Sequence, residues 1–298
     1  GGCQSAVSTA TAVTVNSLPS APTITAGGPT TFCPGGSVTL TSSAGTSYLW
    51  STGATTAGIN VTTAGSYTVQ VTNASGCQSS SSSATTVTIN ALPSTPTITA
   101  GGPTTFCTGG SVTLTSSAGT SYLWSTTATT QSINVTTAGS YTVQVTNASG
   151  CQSAASTPTV VTVNTIPSTP TITAGGPTTF CTGGSVTLTS SAGTSYLWST
   201  GATTASISAT IAGSYTAQVT NASGCQSAAS AATVVTVNAL PATPTISAGG
   251  PTTFCTGGSV TLTSSAGTTY LWSTGATTSS ISATTSGSYS VQITKAIG

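Results

Sequence analysis

Acidic side chains are missing altogether from this 298-residue chain: it has no Asp, no Glu, no His and no Met, and Lys295 is its only basic residue. Ordinary soluble domains are about a quarter charged, whereas the formal net charge here is +1. Each absence closes off a class of function. General acid–base catalysis needs a group titrating near neutrality, normally His, Asp or Glu. No Ser-His-Asp triad, carboxylate pair or histidine zinc site can therefore be assembled. A Ser or Cys without a base is a poor nucleophile. The chain reads as non-enzymatic, with no catalytic, cofactor-binding or metal-binding residues and no cofactor. Nucleic-acid binding needs a basic face that displaces counterions from phosphates, and none exists. No run approaches the roughly 18 apolar residues of a membrane span, so no membrane insertion is expected. The charge that normally keeps proteins apart is absent too.

What remains is rich in order. The chain is 36% hydrophobic, unlike disordered tracts that combine low hydrophobicity with high charge. Thr and Ser dominate the rest, so hydroxyls do the solvating. "FC" recurs at Cys33, Cys107, Cys181 and Cys255, and "GC" at Cys3, Cys77, Cys151 and Cys225, each series at a spacing of 74 residues. That period is too long for a solenoid turn and suits a small self-contained domain. Boundaries fall at "SLPSAPT", "ALPSTPT", "TIPSTPT" and "ALPATPT", where two prolines favour an extended, semi-rigid joint. Residues 18–91, 92–165 and 166–239 then form three whole domains. Residues 240–298 form a fourth that lacks its last strand, and residues 1–17 are the last strand of a preceding or neighbouring domain.

Within a copy the hydrophobic period is two. "SVTLTSS" alternates Val112 and Leu114 with hydroxyls, and "SYTVQVT" alternates Tyr141, Val143 and Val145 with Thr142, Gln144 and Thr146. Turn signals such as "TGG", "SAGT" and "NASG" separate the runs. No stretch has helical spacing. About seven short strands per copy predict an all-β protein of tandem antiparallel sandwiches, joined in a linear rod on the order of 120–160 Å long.

"SVTLTSSAGTSYLWSTG" followed by "TTAGSYTVQVTNASGC" resembles the immunoglobulin-like and PKD-like repeats of secreted surface adhesins in Bacteroidota, including gliding and attachment adhesins exported by the type IX system. The resemblance runs through all four copies. It implies an extracellular, cell-surface or filamentous location. It also implies that Trp50, Trp124, Trp198 and Trp272 are the core Trp of the third strand, and that Tyr67, Tyr141, Tyr215 and Tyr289 form the tyrosine corner of the sixth. Two departures stand out. The cysteines are not on the strands that carry the antibody-type bridge, and the acidic residues common in PKD-like repeats, with any carboxylate calcium site, are gone.

Eight cysteines in small repeats point to an oxidising, extracellular setting. They lie 30 or 44 apart, whereas zinc ligands cluster at two-to-four-residue spacings. Pairing within domains gives Cys33–Cys77, Cys107–Cys151 and Cys181–Cys225, and is the expected arrangement because it leaves two cysteines over rather than four. An alternative stays open: if the "TGG" turn puts one cysteine at the lower end of a sandwich and "NASG" puts its partner at the upper end, the bridges would be Cys33–Cys151 and Cys107–Cys225. The intradomain scheme leaves Cys3 and Cys255, a candidate bridge between chains or repeats. Residues 3–16 carry the strand that 240–298 lacks, so strand complementation by copies of the chain itself or by flanking repeats is expected.

The chain is therefore read as an extracellular structural protein, the stalk of a surface adhesin or the subunit of a head-to-tail filament, whose surface or glycan target the sequence does not name. The competing reading is a glycan-binding array, with Trp50, Trp124, Trp198 and Trp272 and the tyrosines two residues before them as stacking platforms. A sandwich this small must bury its large residues to have a core, which favours packing. Leu49, Leu123, Leu197 and Leu271 then face the other way, as a candidate lateral contact. Without side-chain carboxylates, neither chelation nor mild acid has a group to act on. Thermal unfolding should be unchanged by EDTA and flat between about pH 4 and 7; a marked loss in EDTA contradicts this.

Overall fold

A computed structural model of the chain describes residues 1–296, so the last two residues of the 240–298 segment lie outside it. The chain divides into two compact units, residues 1–163 and 164–298. It is all-β, a tandem array of immunoglobulin-like, chiefly antiparallel sandwiches, with no helix among the described residues.

In the first unit, the first repeat has eight short strands: β1 (Ile24–Ala26), β2 (Thr31–Phe32), β3 (Val38–Ser42), β4 (Ser47–Trp50), β5 (Gly58–Val61), β6 (Gly65–Tyr67), β7 (Val69–Thr72) and β8 (Thr85–Ile89). One sheet has the order β1-β3-β5; facing it are the ladders β4-β7 and β2-β8-β6. Only Thr68 separates β6 from β7, so the two ladders run on into one another. All pairings are antiparallel except β2 with β8, which is parallel. The same eight strands recur from Ile98–Ala100 to Thr159–Asn164.

The period-two pattern forms these strands because it puts one apolar stripe inward. Along β3, Val38, Leu40 and Ser42 are buried while Thr39 and Thr41 are exposed. Val38, Leu40, Trp50, Val61, Tyr67, Val69 and Val87 make one core. Val112, Leu114, Trp124, Val135, Tyr141, Val143 and Val161 make the other. Each indole is inside: Trp50 and Trp124 are 2% exposed. Burying a ring also buries its N–H, which needs an acceptor. Trp50 Nε1 donates to Thr56 O (2.9 Å) and Trp124 Nε1 to Thr130 O (2.8 Å). The Tyr67 hydroxyl likewise donates to Thr63 O (2.8 Å), and Tyr141 to Thr137 O (2.9 Å), pinning the chain where it enters β6 or its counterpart.

The second unit repeats this plan once in full, from Ile172–Ala174 to Thr233–Asn238, around Trp198, Tyr215, Leu188 and Val235. Its other repeat is shorter. Ile246–Ala248, Val260–Ser264 and Ser280–Ala283 form one sheet, and Thr269–Trp272 pairs with Val291–Thr294. Among the described residues there is no counterpart of β2, β6 or β8. Trp272 remains buried over a reduced core of Val260, Leu262 and Ala283. Its Nε1 donates to Thr278 O (2.8 Å), as Trp198 Nε1 does to Thr204 O (2.8 Å). The hydroxyls of Tyr215 and Tyr289 bond to Ile211 O and Thr285 O, both at 2.8 Å, but Tyr289 is only half-buried.

One position is strained. The turn after each Trp closes with a residue of positive φ, which is Gly53, Gly201 and Gly275 in three copies and Thr127 (φ 68°) in the second. Its N–H still bonds to Trp124 O (2.8 Å). A β-branched residue there costs about 1–2 kcal/mol because Cβ crowds the following carbonyl. Thr127→Gly should therefore raise the stability of the second repeat by about 1 kcal/mol. Gly201→Thr should lower that of the third by a similar amount. Hydrogen exchange of the core amides in each repeat reads both.

Candidate functional site at the repeat junctions

The "FC" and "GC" cysteines sit at opposite ends of a sandwich, and strand direction is the cause. Because β2 runs parallel to β8, with Thr31 opposite Thr88 and Phe32 opposite Ile89, the next residue, Cys33, lies level with Asn90 at the outgoing end. Asn90 N–H donates to Phe32 O there (2.9 Å). Cys77 follows β7 at the other end. Asn73 builds that turn: its Oδ1 accepts from the N–H of Ser75 (3.1 Å) and of Cys77 (3.0 Å), and its Nδ2 donates to Ser17 O (3.0 Å) on the incoming chain. Cys77 Sγ lies 3.9 Å from Asn16 O.

The second repeat presents its incoming end in the same way, with Asn147 Nδ2 on Ala91 O (2.9 Å). Ala91 follows Asn90, which is level with Cys33, so Cys151 meets Cys33. The two form a disulfide with Cα atoms 5.6 Å apart, inside the roughly 7 Å that a bridge requires. Cys151 is fully buried. This corrects the expected pairing. Cys33–Cys77 is not formed, because the length of the sandwich separates the two, and Cys77 is a half-buried free thiol. Cys107–Cys151 is not formed, because Cys151 is held by Cys33. Cys181–Cys225 is not formed either, because Cys181 is a free thiol while Cys225 is disulfide-bonded, as is Cys107. Cys3 and Cys255 are exposed free thiols.

In the second unit the same geometry recurs. Asn221 Nδ2 donates to Thr165 O (2.8 Å), and Cys225 Sγ lies 3.9 Å from Asn164 O. At the outgoing end of the third repeat, Cys181 stands opposite Asn238 in the parallel register, and Thr182 N–H donates to Asn238 O (2.8 Å). Asn238 Nδ2 is buried there without a hydrogen-bond partner among the described residues.

Pairs of serines, which the sequence reading passed over, close the edge of each complete repeat. The chain after Cys77 folds back along β7, where Ser79 Oγ accepts from Val71 N–H (3.0 Å) and Ser82 Oγ from Val69 N–H (3.1 Å). Each hydroxyl passes its own proton to a neighbouring carbonyl, Ser80 O or Ser83 O. Ser153 and Ser156 do the same, as do Ser227 and Ser230. All six are buried. The signal was present: Ser-x-x-Ser follows every "GCQ", including Ser5 and Ser8, while the residues between vary.

The fourth repeat has an open cleft of about 760 Å³ where β8 lies in the first, lined by Ile246, Phe254, Val260, Leu262, Ala283 and Tyr289. Phe254 and Ile246 are each 38% exposed. Residues 1–17 form no strand and are exposed along their length.

The four Trp rings are inside, so the stacking platform they were to form for sugars does not exist. Tyr48, Tyr122, Tyr196 and Tyr270 are half-buried, their hydroxyls accepting from the N–H groups of Gly45, Gly119, Gly193 and Gly267. Leu49, Leu123, Leu197 and Leu271 are exposed on the outward face, opposite Gln70, Gln144, Gln218 and Gln292.

No protein-family model matches the chain, and no curated relative does. Among solved structures it is similar to a Ca2+-stabilised adhesin that helps an Antarctic bacterium reach out and bind ice, at 16% identity and a TM-score of 0.42, covering 89% of this chain and 90% of that one. It is also similar to three N-terminal domains of the highly immunogenic outer capsid protein of bacteriophage RB49, at 16% identity and a TM-score of 0.28, covering 74% and 99%. At those values the likenesses carry no argument about activity.

The serine pairs can be tested directly. Replacing Ser153 or Ser156 by Ala leaves a buried N–H without an acceptor, which costs about 1–3 kcal/mol. Ala155→Ser, at an exposed position between them, should be neutral within about 0.5 kcal/mol. Protease susceptibility of the second repeat, compared across the three variants, checks the difference.

Proposed function

We propose that the chain is an extracellular, non-enzymatic structural protein, the stalk of a surface adhesin, of the kind found in the Bacteroidota repeat proteins it resembles. The observation that carries this reading is the Cys33–Cys151 bridge between successive repeats. A bridge inside one sandwich would stabilise that core; this one restrains a joint. Disulfides of this kind persist in oxidising compartments, which supports a location outside the cell. The absence of Asp, Glu and His, the usual general acids and bases, supports a role without catalysis. Buried indoles disfavour the glycan-binding alternative.

The bridge also sets the path of tension. A pull arriving from residue 18 reaches Cys33, crosses to Cys151 through sulfur, and bypasses the 117 residues between them, since the bridged pair is separated by 118 positions. Most of the Trp50 and Trp124 cores lies in those residues and carries no load while the bridge is intact; Val161, on the strand that follows Cys151, stays on the loaded path. At no more than about 3.3–3.6 Å per extended residue, reduction releases at most about 400 Å of additional length. Single-molecule extension of the chain held at its two ends, with and without reductant, measures this. Equal extension in both conditions would defeat the stalk reading.

A further inference from the structure

A strand at the edge of a sheet carries unpaired backbone groups that invite another chain, and proteins usually blunt such edges with charged side chains. This chain has one Lys and no Asp, Glu or Arg to place there. β5 is an edge of this kind: the sheet order is β1-β3-β5, and Gly58 to Val61 pair with Thr41 to Val38 on one side alone. Its counterpart in the second repeat, Ser132–Val135, is the edge of the matching sheet. Within each of these strands stands an exposed asparagine, Asn60 opposite Thr39 and Asn134 opposite Thr113. The surrounding outward face is open. Thr25, Thr39 and Thr41 are exposed in the first repeat, as are Thr99 and Thr113 in the second.

Both asparagines begin the acceptor pattern for N-linked sugar, as Asn60-Val61-Thr62 and Asn134-Val135-Thr136. Asn73, Asn147 and Asn221 begin triplets of the same pattern, with Ser in the third place. The structure separates the two groups. Asn73, Asn147 and Asn221 are half-buried at the joints, and each Nδ2 is engaged with the incoming chain, on Ser17 O, Ala91 O or Thr165 O. Each Oδ1 accepts two amides of its own turn. A sugar on any of these three would stand inside the joint. Asn60 and Asn134 are exposed and serve no hydrogen bond among the described residues, and Thr62 and Thr136 are exposed beside them. Val61 and Val135, 3% and 4% exposed, point into the core between them. In a strand that fixes both neighbours outward.

We propose that Asn60 and Asn134 are N-glycosylation sites, that Asn73, Asn147 and Asn221 are not, and that the two glycans guard the open edges of the first and second repeats. The proposal rests on the extracellular stalk reading and adds a modification to it. The donor is an oligosaccharide carried on a lipid diphosphate. The bond from its anomeric carbon to the phosphate oxygen breaks, a bond from that carbon to Nδ2 forms, Nδ2 gives up one proton, and the lipid diphosphate leaves. The product is a bulky, hydrated group on the outward face of an edge strand. It blocks approach of a second strand to that edge and supplies the barrier to association that charge supplies in other proteins. In the third and fourth repeats the same position, opposite Thr187 and Thr261, is Ser208 and Ser282, which cannot take this linkage.

The test uses the natural protein, taken from its source without reduction. Chymotrypsin is the protease, because Lys295 is the sole tryptic site, and mass spectrometry reads the peptides. Those holding Asn60 and Asn134 should carry a hexose-containing addition on the asparagine, and those holding Asn73, Asn147 and Asn221 should be bare. Thr62→Ala and Thr136→Ala, expressed in the same source, should each remove the addition two residues upstream and leave the other in place. Both threonines are exposed, and recovery of the Cys33–Cys151 peptide shows that each variant has folded. The double variant should scatter light at a lower concentration than the unaltered protein; unchanged association would overturn the role at the edges. Bare Asn60 and Asn134 would overturn the sites themselves. So would equal occupancy of all five asparagines, which means modification without regard to the joints. Bare asparagines in a protein that still lengthens on reduction would remove the glycans and leave the stalk intact.

Discussion

One strand in each complete repeat holds two others in place. β8 pairs in parallel with β2 and antiparallel with β6, and it puts Val87 between the sheets. Where no such strand is present, in the fourth repeat, neither partner is a strand. Leu262 rises from the 0% exposure of Leu40, Leu114 and Leu188 to 8%, and Tyr289 opens to solvent. The other half of the sandwich keeps its form: Trp272 stays 2% exposed and the three-strand sheet keeps its pairings, although Ile246, Val260, Leu262 and Ala283 of that sheet line the vacated place. A repeat is thus two subassemblies of unequal independence. The half around Trp stands alone, and the half around β8 exists only when β8 is delivered.

A chain without Asp, Glu, His or Arg, and with a single Lys, must settle its buried polar groups with hydroxyls, side-chain amides and backbone. Hydrogen bonds to neutral partners are individually modest, but leaving a buried donor unmade is expensive. The indole N–H groups go to threonine carbonyls, the tyrosine hydroxyls to carbonyls four residues back, and the β7 amides to serine Oγ atoms. Asn73 alone serves three groups at the joint, two amides on its own turn and one carbonyl on the incoming chain. None of these bonds changes with pH near neutrality.

Much of this was legible in the residues. Strict alternation placed Val112, Leu114, Tyr141 and Val143 inward, and the structure buries them. Trp was assigned to the core because small sandwiches have nothing else large to fill them. The cysteine pairing was not legible from counting. Fewest leftovers favours bridges within a repeat, whereas geometry separates those cysteines by the length of a sandwich. What fixes that geometry is the parallel pairing of β2, a strand of two residues, too short to show any periodicity. The serine pairs escaped for a different reason: serine usually reads as surface, and only its recurrence two residues after each "GC" distinguishes Ser79 or Ser153 from its many neighbours.

The placement of Cys33 has a consequence for biogenesis. During synthesis Cys77 emerges well before Cys151, so the wrong thiol is the first available. Only the folded sandwich keeps Cys33 and Cys77 apart, by holding them at its two ends. Oxidation that outruns folding would capture the nearer thiol and strand the joint without its clasp. Folding first, and oxidation only afterwards, is thus a timing requirement written into the fold, and correct bridging of each repeat reports that its predecessor had already closed.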